Sequence, residues 1–338
     1  MVVEKMVPEP FVSIVVPTTG RVGYIRGMVK SIVRLDYPRD RFELILLGDV
    51  ETPLLQRARE LAQEGGVALR IIHDSVAAGE KRNRGVAVAQ GEVIAFTDDD
   101  TILREDWLRA AVQHLAQNPD YTGVGGPNFT PREGLPFAKA VGRIFGSKFL
   151  FRFRYTAGHD KPREVDHNPT CNYILRREAI AGVRFHPTLW PGEDVEFDIR
   201  LQQAGHRILY APDVVVWHHR RSRPLAFLRQ MFNYGVTRAQ VTRMHPGSFD
   251  PRHYAFIGAF FVLIALYALA WRQPLPVAVP WLLPATLNAA YFGVLGLAGL
   301  LVGAQTRSFK QAFYAPLVLF IQHFGYSLGL LVGLLRRA

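Results

Sequence analysis

The sequence predicts a parallel, three-layer α/β domain followed by segments able to cross a membrane. Three observations carry this. Strand-like and helix-like segments alternate with short joints through the first part of the chain, the pattern of a parallel sheet covered by helices. One of the strands, 92–97, runs straight into three consecutive carboxylates, Asp98, Asp99 and Asp100. Charges are scattered through 1–254 and nearly absent from 255–338. The expected division is therefore a polar domain at 1–245 and a membrane domain at 246–338.

Each element follows from its spacing. Residues 11–16 are apolar and β-branched and close at Pro17, which reads as a buried strand. A turn with hydroxyls and a glycine follows at 18–21. Tyr24, Met28 and Ile32 recur at helical spacing across 24–34. Residues 42–47 are a second strand ended by Gly48-Asp49, 54–63 a charged amphipathic helix, and 67–72 a third strand. A helix at 80–90 stops at Gly91, the strand 92–97 is the fourth, and 105–117 is the next helix. Residues 121–127, 173–175 and 213–217 read as later strands, and 195–203 and 225–240 as later helices, the last interrupted at Gly235. Right-handed crossovers place the strand ends on one rim, where open α/β sheets bind ligands. The turn at 17–21, Asp49 and Asp98–Asp100 are expected to meet there.

The 40 Lys and Arg against 29 Asp and Glu leave a net charge of +11. Such a balance suits nucleic acid, an anionic membrane surface or anionic substrates. The apolar tail favours the membrane, and the basic residues form no recognised nucleic-acid motif. One cysteine, Cys171, excludes an internal disulfide framework and reads as a small buried residue. The charged N-terminus does not read as a signal peptide, so the polar domain is expected on the cytoplasmic side of the cell (inner) membrane, with a multi-pass anchor.

Three segments, 255–271, 275–303 and 313–335, lack charge, and a span needs about 20 apolar residues. Three spans put Arg307 and Lys310 inside, in keeping with positive-inside weighting, but leave Arg336 and Arg337 outside. Two spans and one interfacial or re-entrant segment remove that conflict. His323 is a polar group within the last segment, a functional flag with packing against Gly325 and Tyr326 as the alternative. The basic, aromatic-rich stretch 135–154 reads as a helix lying in a membrane interface, or else as a core helix with snorkelling basic side chains.

Carboxylates at the end of a buried strand repel one another and need a cation to stay ionised. Asp98 and Asp100 are expected to hold a divalent metal and, through it, the diphosphate of a nucleotide; the alternative is an acidic turn before a helix cap. Glu193 and Asp194 follow Trp190-Pro-Gly192. They are candidates for presentation at a loop end, or for stabilisation by a helix dipole. His218 and His219 offer one imidazole to the metal or the diphosphate; solvent exposure, or lipid phosphate bound with Arg220, Arg221 and Arg223, is the alternative.

Val16-Pro-Thr-Thr-Gly-Arg21, Glu43-Leu-Ile-Leu-Leu-Gly-Asp49, Lys81-Arg-Asn-Arg-Gly85, Phe96-Thr-Asp-Asp-Asp100 and Gly192-Glu-Asp194 together resemble, in this order, family 2 glycosyltransferases of the GT-A fold. The resemblance covers about 11–240, and the set is more specific than any one motif. It implies a GT-A (Rossmann-like) domain that transfers a sugar from a nucleotide-sugar, usually a UDP-sugar, with inversion. The membrane-tailed branch, similar to succinoglycan-type glucosyltransferases, implies a polyprenyl-linked or other lipid-linked acceptor and a role in envelope or extracellular polysaccharide.

The resemblance implies roles residue by residue. Asp49 would meet the nucleobase. Pro17, Thr18, Lys81, Arg82, Asn83 and Asp99 would lie near the nucleotide-sugar. Asp98 and Asp100, with His219, would hold Mg²⁺ or Mn²⁺. Asp194 would be the general base, with Glu193 beside it. Gly20 and Gly48 depart from the family's usual asparagine and aspartate. Asn233 and Tyr234 depart from the Gln-x-x-Arg-Trp signature of processive synthases, which Gln230 otherwise begins. A processive polysaccharide synthase is thus the rival within the class. A membrane scaffold or transporter subunit with a degenerate nucleotide-sugar domain is the rival outside it.

Overall fold

All six positions of Val12–Pro17 (β1) are buried, as an unbroken apolar run in a sheet covered on both faces requires. The computed structural model describes residues 9–19, 22–48, 53–147, 160–272 and 279–336. After β1 come α1 (Val22–Val33), β2 (Phe42–Leu47), α2 (Pro53–Glu64), β3 (Ala68–Ile72), α3 (Ala78–Val88), β4 (Val93–Thr97), β5 (Thr101–Leu103), α4 (Trp107–Gln117), β6 (Gly123–Gly125) and β7 (Asn128–Phe129). Then follow α5 (Pro136–Phe145), β8 (Arg163–Val165), β9 (Asn172–Arg176), α6 (Arg177–Ile180), α7 (Glu193–Gln203), β10 (Ile208–Tyr210) and β11 (Val216–His218). The last helices are α8 (Pro224–Met244), α9 (Ala255–Trp271), α10 (Val279–Thr306) and α11 (Phe309–Leu335). The chain forms two compact units, 1–131 with 152–219, and 132–151 with 220–338.

The first unit is the α/β domain. Its main sheet runs β3-β2-β1-β4-β9-β6-β10-β8. The first four strands are parallel, as expected, but β9 is antiparallel to both its neighbours. The expectation of a wholly parallel sheet is corrected there. The reversal matters for the site, because β9 begins where β4 ends: Asn172 pairs with Thr97. Strand alternation splits the core between two faces. Ile14 and Val16 pack with Met28, Ile32 and Trp107, while Val15 and Phe96 pack with Tyr173 and Phe197. A small second sheet, β5-β11-β7, pairs His218 with Thr101, just past the carboxylates.

The second unit holds α5 and α8–α11. Helix α5 buries Phe137, Val141 and Ile144 against Phe227, Met231 and Val318, while Arg143 stays exposed. Over 136–145 the stretch expected at 135–154 is thus one amphipathic helix with its apolar face packed and Arg143 outward; residues 148–154 lie outside the described residues. Helix α8 is continuous through Gly235, contrary to the expected interruption. A Cβ at Gly235 would lie 2.1 Å from the Tyr326 oxygen, and one at Gly329 1.9 Å from that of Phe232. These glycines let the α8 and α11 backbones touch.

Among the described residues two helices, Trp281–Thr306 and Phe309–Leu335, are long and apolar enough to cross a membrane. The expected segment 275–303 is one helix from Val279 with Pro284 inside it, and 275–278 lie outside the described residues. The 17 residues of α9 reach only about 25 Å at ~1.5 Å each, against a hydrocarbon core of ~30 Å. Three expected candidates thus become two. Phe260, Phe261, Leu282 and Leu300 are exposed on these helices, as lipid-facing side chains are. His323 Nδ1 lies 3.1 Å from the Tyr291 hydroxyl, and its ring stacks on Phe256.

Candidate active site

The turn after β4 sorts its three carboxylates. Thr97 and Thr101 hydroxyls meet at 2.7 Å, and Thr101 donates to the Asp98 carbonyl at 2.7 Å, closing the turn. Asp99 faces β1, where its Oδ2 accepts from the Thr18 hydroxyl at 2.7 Å and the Thr19 amide at 3.3 Å. Asp98 and Asp100 gather instead with His218, and the three ligand atoms lie within 4.8 Å of one another. Among the described residues they form a group able to hold a metal ion. His218 Nε2 is 3.1 Å from Asp100 Oδ1.

Burial pulls the His218 pKa down, but Asp100 outweighs it and raises it from 6.5 to about 10. Burial pushes the Asp98 carboxyl above the ordinary carboxylate value against the pull of Arg82. Two carboxylates and an imidazole fit a small divalent cation: the oxygens suit Mg²⁺ or Mn²⁺, and the nitrogen favours Mn²⁺.

His219, the histidine expected at the metal, is placed differently. Its backbone amide donates to the Asp100 carbonyl at 3.0 Å, and its ring lies against Tyr24, 4.8 Å between centroids. Pairing His218 with Thr101 sets which of the two rings faces the carboxylates. The expected strand stopped at Trp217. Carrying its alternation one residue further would have put His218 on the face of Val216.

Arg82, from α3, is buried and forks between two acids. Its Nη2 donates to Asp98 Oδ1 at 2.9 Å and its Nη1 to Glu193 Oε1 at 2.7 Å. The guanidinium also lies over the Phe185 ring, 5.6 Å from its centre. Gly192, at φ 101°, turns the chain into α7, a conformation that glycine adopts without penalty. Glu193 and Asp194 are then the first residues of that helix. Burial pushes the Glu193 pKa up against the pull of Arg82. Its side chain is 7% exposed, that of Asp194 23%. Glu193 is thus consumed by the arginine, while Asp194 stands open at the helix start.

The other expected residues divide. Lys81 is buried, and its ammonium donates to the Thr18 carbonyl at 2.7 Å. Thr18 in turn donates its amide to Leu47 at 2.7 Å, and Pro17 pairs with Leu47. Thr18, Lys81 and Asp99 form one buried clamp under the first loop. Asp49 lies outside the described residues. Asn83 is turned away: its side chain brackets Phe185, donating to its carbonyl at 2.9 Å and accepting its amide at 2.8 Å. His167 and Asp198, behind Asp194, were not expected; the Asp194/Asp198 spacing, which puts both on one helix face, was the available signal.

Gly48 now has a reason. A Cβ there would lie 2.4 Å from the Thr18 carbonyl oxygen, so the β1 and β2 ends approach too closely for a side chain. Gly48→Ala is expected to cost about 1–3 kcal/mol by overpacking. The check is the thermal unfolding midpoint of the full chain in detergent; an unchanged midpoint would mean that the first loop yields.

Residues 8–235 match the family described as Glycosyltransferase like family 2. The chain is 25% identical over 240 residues to glycosyltransferase AglE of Haloferax volcanii, an alignment covering 69% of this chain and 74% of that protein. It is 22% identical over 307 residues, covering 81% and 92%, to the dolichyl N-acetyl-alpha-D-glucosaminyl phosphate 3-beta-D-2,3-diacetamido-2,3-dideoxy-beta-D-glucuronosyltransferase of Methanococcus voltae. Among solved structures, the mannosyltransferase PcManGT of Pyrobaculum calidifontis, in complex with GDP-Man and Mn²⁺, aligns with a TM-score of 0.63 and 19% identity, over 93% of this chain and 87% of that one. That last likeness is one of fold.

Proposed function

The chain belongs to the glycosyltransferase like family 2, and from that premise we propose a membrane-bound inverting transferase acting on a lipid-linked acceptor at the cytoplasmic face. It moves a sugar from a UDP-sugar to an acceptor carried on a polyprenyl phosphate or diphosphate. The observation that supports this most is Arg82, whose one guanidinium holds Asp98 and Glu193 together. Asp98 is on the leaving-group side, and Glu193 adjoins Asp194 on the acceptor side. The lipid-linked acceptor is favoured by the dolichyl-phosphate-linked substrate in the name of the Methanococcus relative and by the two apolar helices.

Asp98, Asp100 and His218 would hold the cation, which when bound offsets the charge gathering on the departing diphosphate. The Thr18–Lys81–Asp99 clamp fixes the first loop as a floor for the nucleotide. Asp194 accepts the acceptor's hydroxyl proton as general base. The acceptor oxygen attacks the anomeric carbon opposite the diphosphate, so one base suffices and the configuration inverts.

The test incubates the full chain in detergent with Mn²⁺, a panel of UDP- and GDP-sugars, and sugars linked to polyprenyl phosphate or polyprenyl diphosphate, and follows product mass. One sugar added per lipid acceptor supports the reading. A long ladder on a gel would instead indicate a processive synthase, and donor binding without turnover a scaffold. Complete chelation is expected to abolish transfer and Mn²⁺ to restore it. His218→Ala is expected to raise the Mn²⁺ needed for half-maximal rate about tenfold or more. Transfer that survives chelation would remove the metal role of all three residues.

A further inference from the structure

Behind Asp194 lies a carboxylate–imidazole pair that the transfer step, as described, does not use. Asp198 stands one turn further along α7 and is fully buried. Its Oδ2 accepts from His167 Nδ1 at 2.7 Å and from the Asn168 amide at 2.9 Å, and its Oδ1 from the Tyr173 hydroxyl at 2.9 Å. Burial raises the Asp198 pKa, and the three donors converging on the enclosed carboxyl oppose that rise and favour its anion. An anionic Asp198 fixes the hydrogen of His167 on Nδ1 and turns Nε2 toward Asp194, 3.9 Å from its Oδ2. The other oxygen of Asp194 accepts the Val195 amide at 2.9 Å. The carboxylate is therefore held by backbone on one side and faces an oriented imidazole on the other.

We propose that His167 is a positioning residue for Asp194: held in its Nδ1–H form by Asp198, it orients the base and carries away the proton the base collects. This rests on the reading of Asp194 as the general base. As the acceptor O–H bond breaks, its proton bonds to Asp194 Oδ2. The acceptor oxygen forms the new bond to the anomeric carbon, and the bond from that carbon to the diphosphate breaks, its electron pair leaving with the nucleoside diphosphate. A side-chain rotation that closes the 3.9 Å between Asp194 Oδ2 and His167 Nε2, or one bridging water, then passes the proton from Asp194 to His167 Nε2. His167 can take it at Nε2 because Asp198 keeps the ring's own hydrogen on Nδ1. The imidazolium lies between two carboxylates. The His167 side chain is 22% exposed, so it releases the proton to water, and Asp194 is again an anion.

The experiment uses the full chain in detergent with Mn²⁺. UDP-glucose and GDP-mannose are the donors; undecaprenyl-diphosphate-linked and dolichyl-phosphate-linked N-acetylglucosamine, whose sugar hydroxyls carry the proton to be removed, and water alone are the acceptors; nucleoside diphosphate release is the readout. His167→Ala is expected to lower kcat about 10–100-fold and to leave the donor KM within about twofold, with added imidazole restoring much of the lost rate. His167→Gln keeps a donor for Asp198 but takes up no proton; it is expected to stay slow and to resist rescue. In an Asp194→Asn background, His167→Ala should add little, because the two act as one unit. Should His167→Ala fail to fold, His167→Gln, scored with its thermal midpoint, carries the test. A His167→Gln protein at the wild-type rate, with Asp194→Asn slow, would overturn the proposal and leave the base reading standing. Asp194→Asn at the wild-type rate would overturn both.

Discussion

Asp194→Asn is expected to lower kcat for sugar transfer by about 10²–10⁴ while donor binding with Mn²⁺ stays within about twofold. The amide keeps the shape of the carboxylate and can still accept the Val195 amide, as Asp194 Oδ1 does at 2.9 Å. It cannot take a proton from an acceptor hydroxyl. The loss should therefore fall on the chemical step, with kcat and kcat/KM falling together. Glu193→Gln is the internal comparison. Its side chain is committed to Arg82 at 2.7 Å and is nearly inaccessible, so its effect should come with a lower unfolding midpoint. Donor binding by calorimetry and single-turnover transfer separate the two. Unchanged single-turnover transfer in Asp194→Asn would exclude it as the base.

Arg82→Met is expected to destabilise the α/β unit by about 3–5 kcal/mol, the usual result of breaking a buried ion pair from one side. Met fills much of the volume and can still pack on Phe185. It leaves Glu193 buried without its cation and takes the same cation from Asp98, which Arg82 reaches at 2.9 Å. Arg82→Lys should recover only part of the loss, since an ammonium lacks the planar fork that reaches two carboxylates at once.

The deficit has a sign in pH. Burial already raises Glu193, and loss of the guanidinium raises it further in the folded state alone. A group whose folded pKa is raised favours folding below its unfolded pKa and loses that contribution as pH rises through the folded one. The Arg82→Met deficit should therefore be smaller near about pH 5 than near about pH 8. Equal midpoints for variant and wild type at both would rule out Arg82 as the buried tie.

Much of the first unit was legible because its periods are strong. An unbroken β-branched run such as Val12–Pro17 admits few readings, and Met28 and Ile32, one helical turn apart, bury as their spacing says. The acidic turn was legible for an energetic reason: Asp98, Asp99 and Asp100 at a strand end are costly without something to hold them. Helix lengths in the apolar tail were legible to within a few residues, since absence of charge is a one-dimensional signal.

What the sequence by itself determined is thus the alternation of elements, the family likeness carried by five short motifs, and the chemical types gathered on the rim. Only the tertiary structure decided where each member of a pair points. Thr101–His218 pairing brings in His218 and turns His219 toward Tyr24. Thr18 draws Asp99 away from Asp98 and Asp100. Arg82 takes Glu193 and leaves Asp194 open, while Asn83, one residue on, closes on Phe185. The reason is physical. Adjacent residues in a strand or turn share composition and neighbourhood but point in different directions. Direction is set by pairing partners that lie 81 positions apart for Thr18 and Asp99 and 111 for Arg82 and Glu193, beyond the reach of any local period.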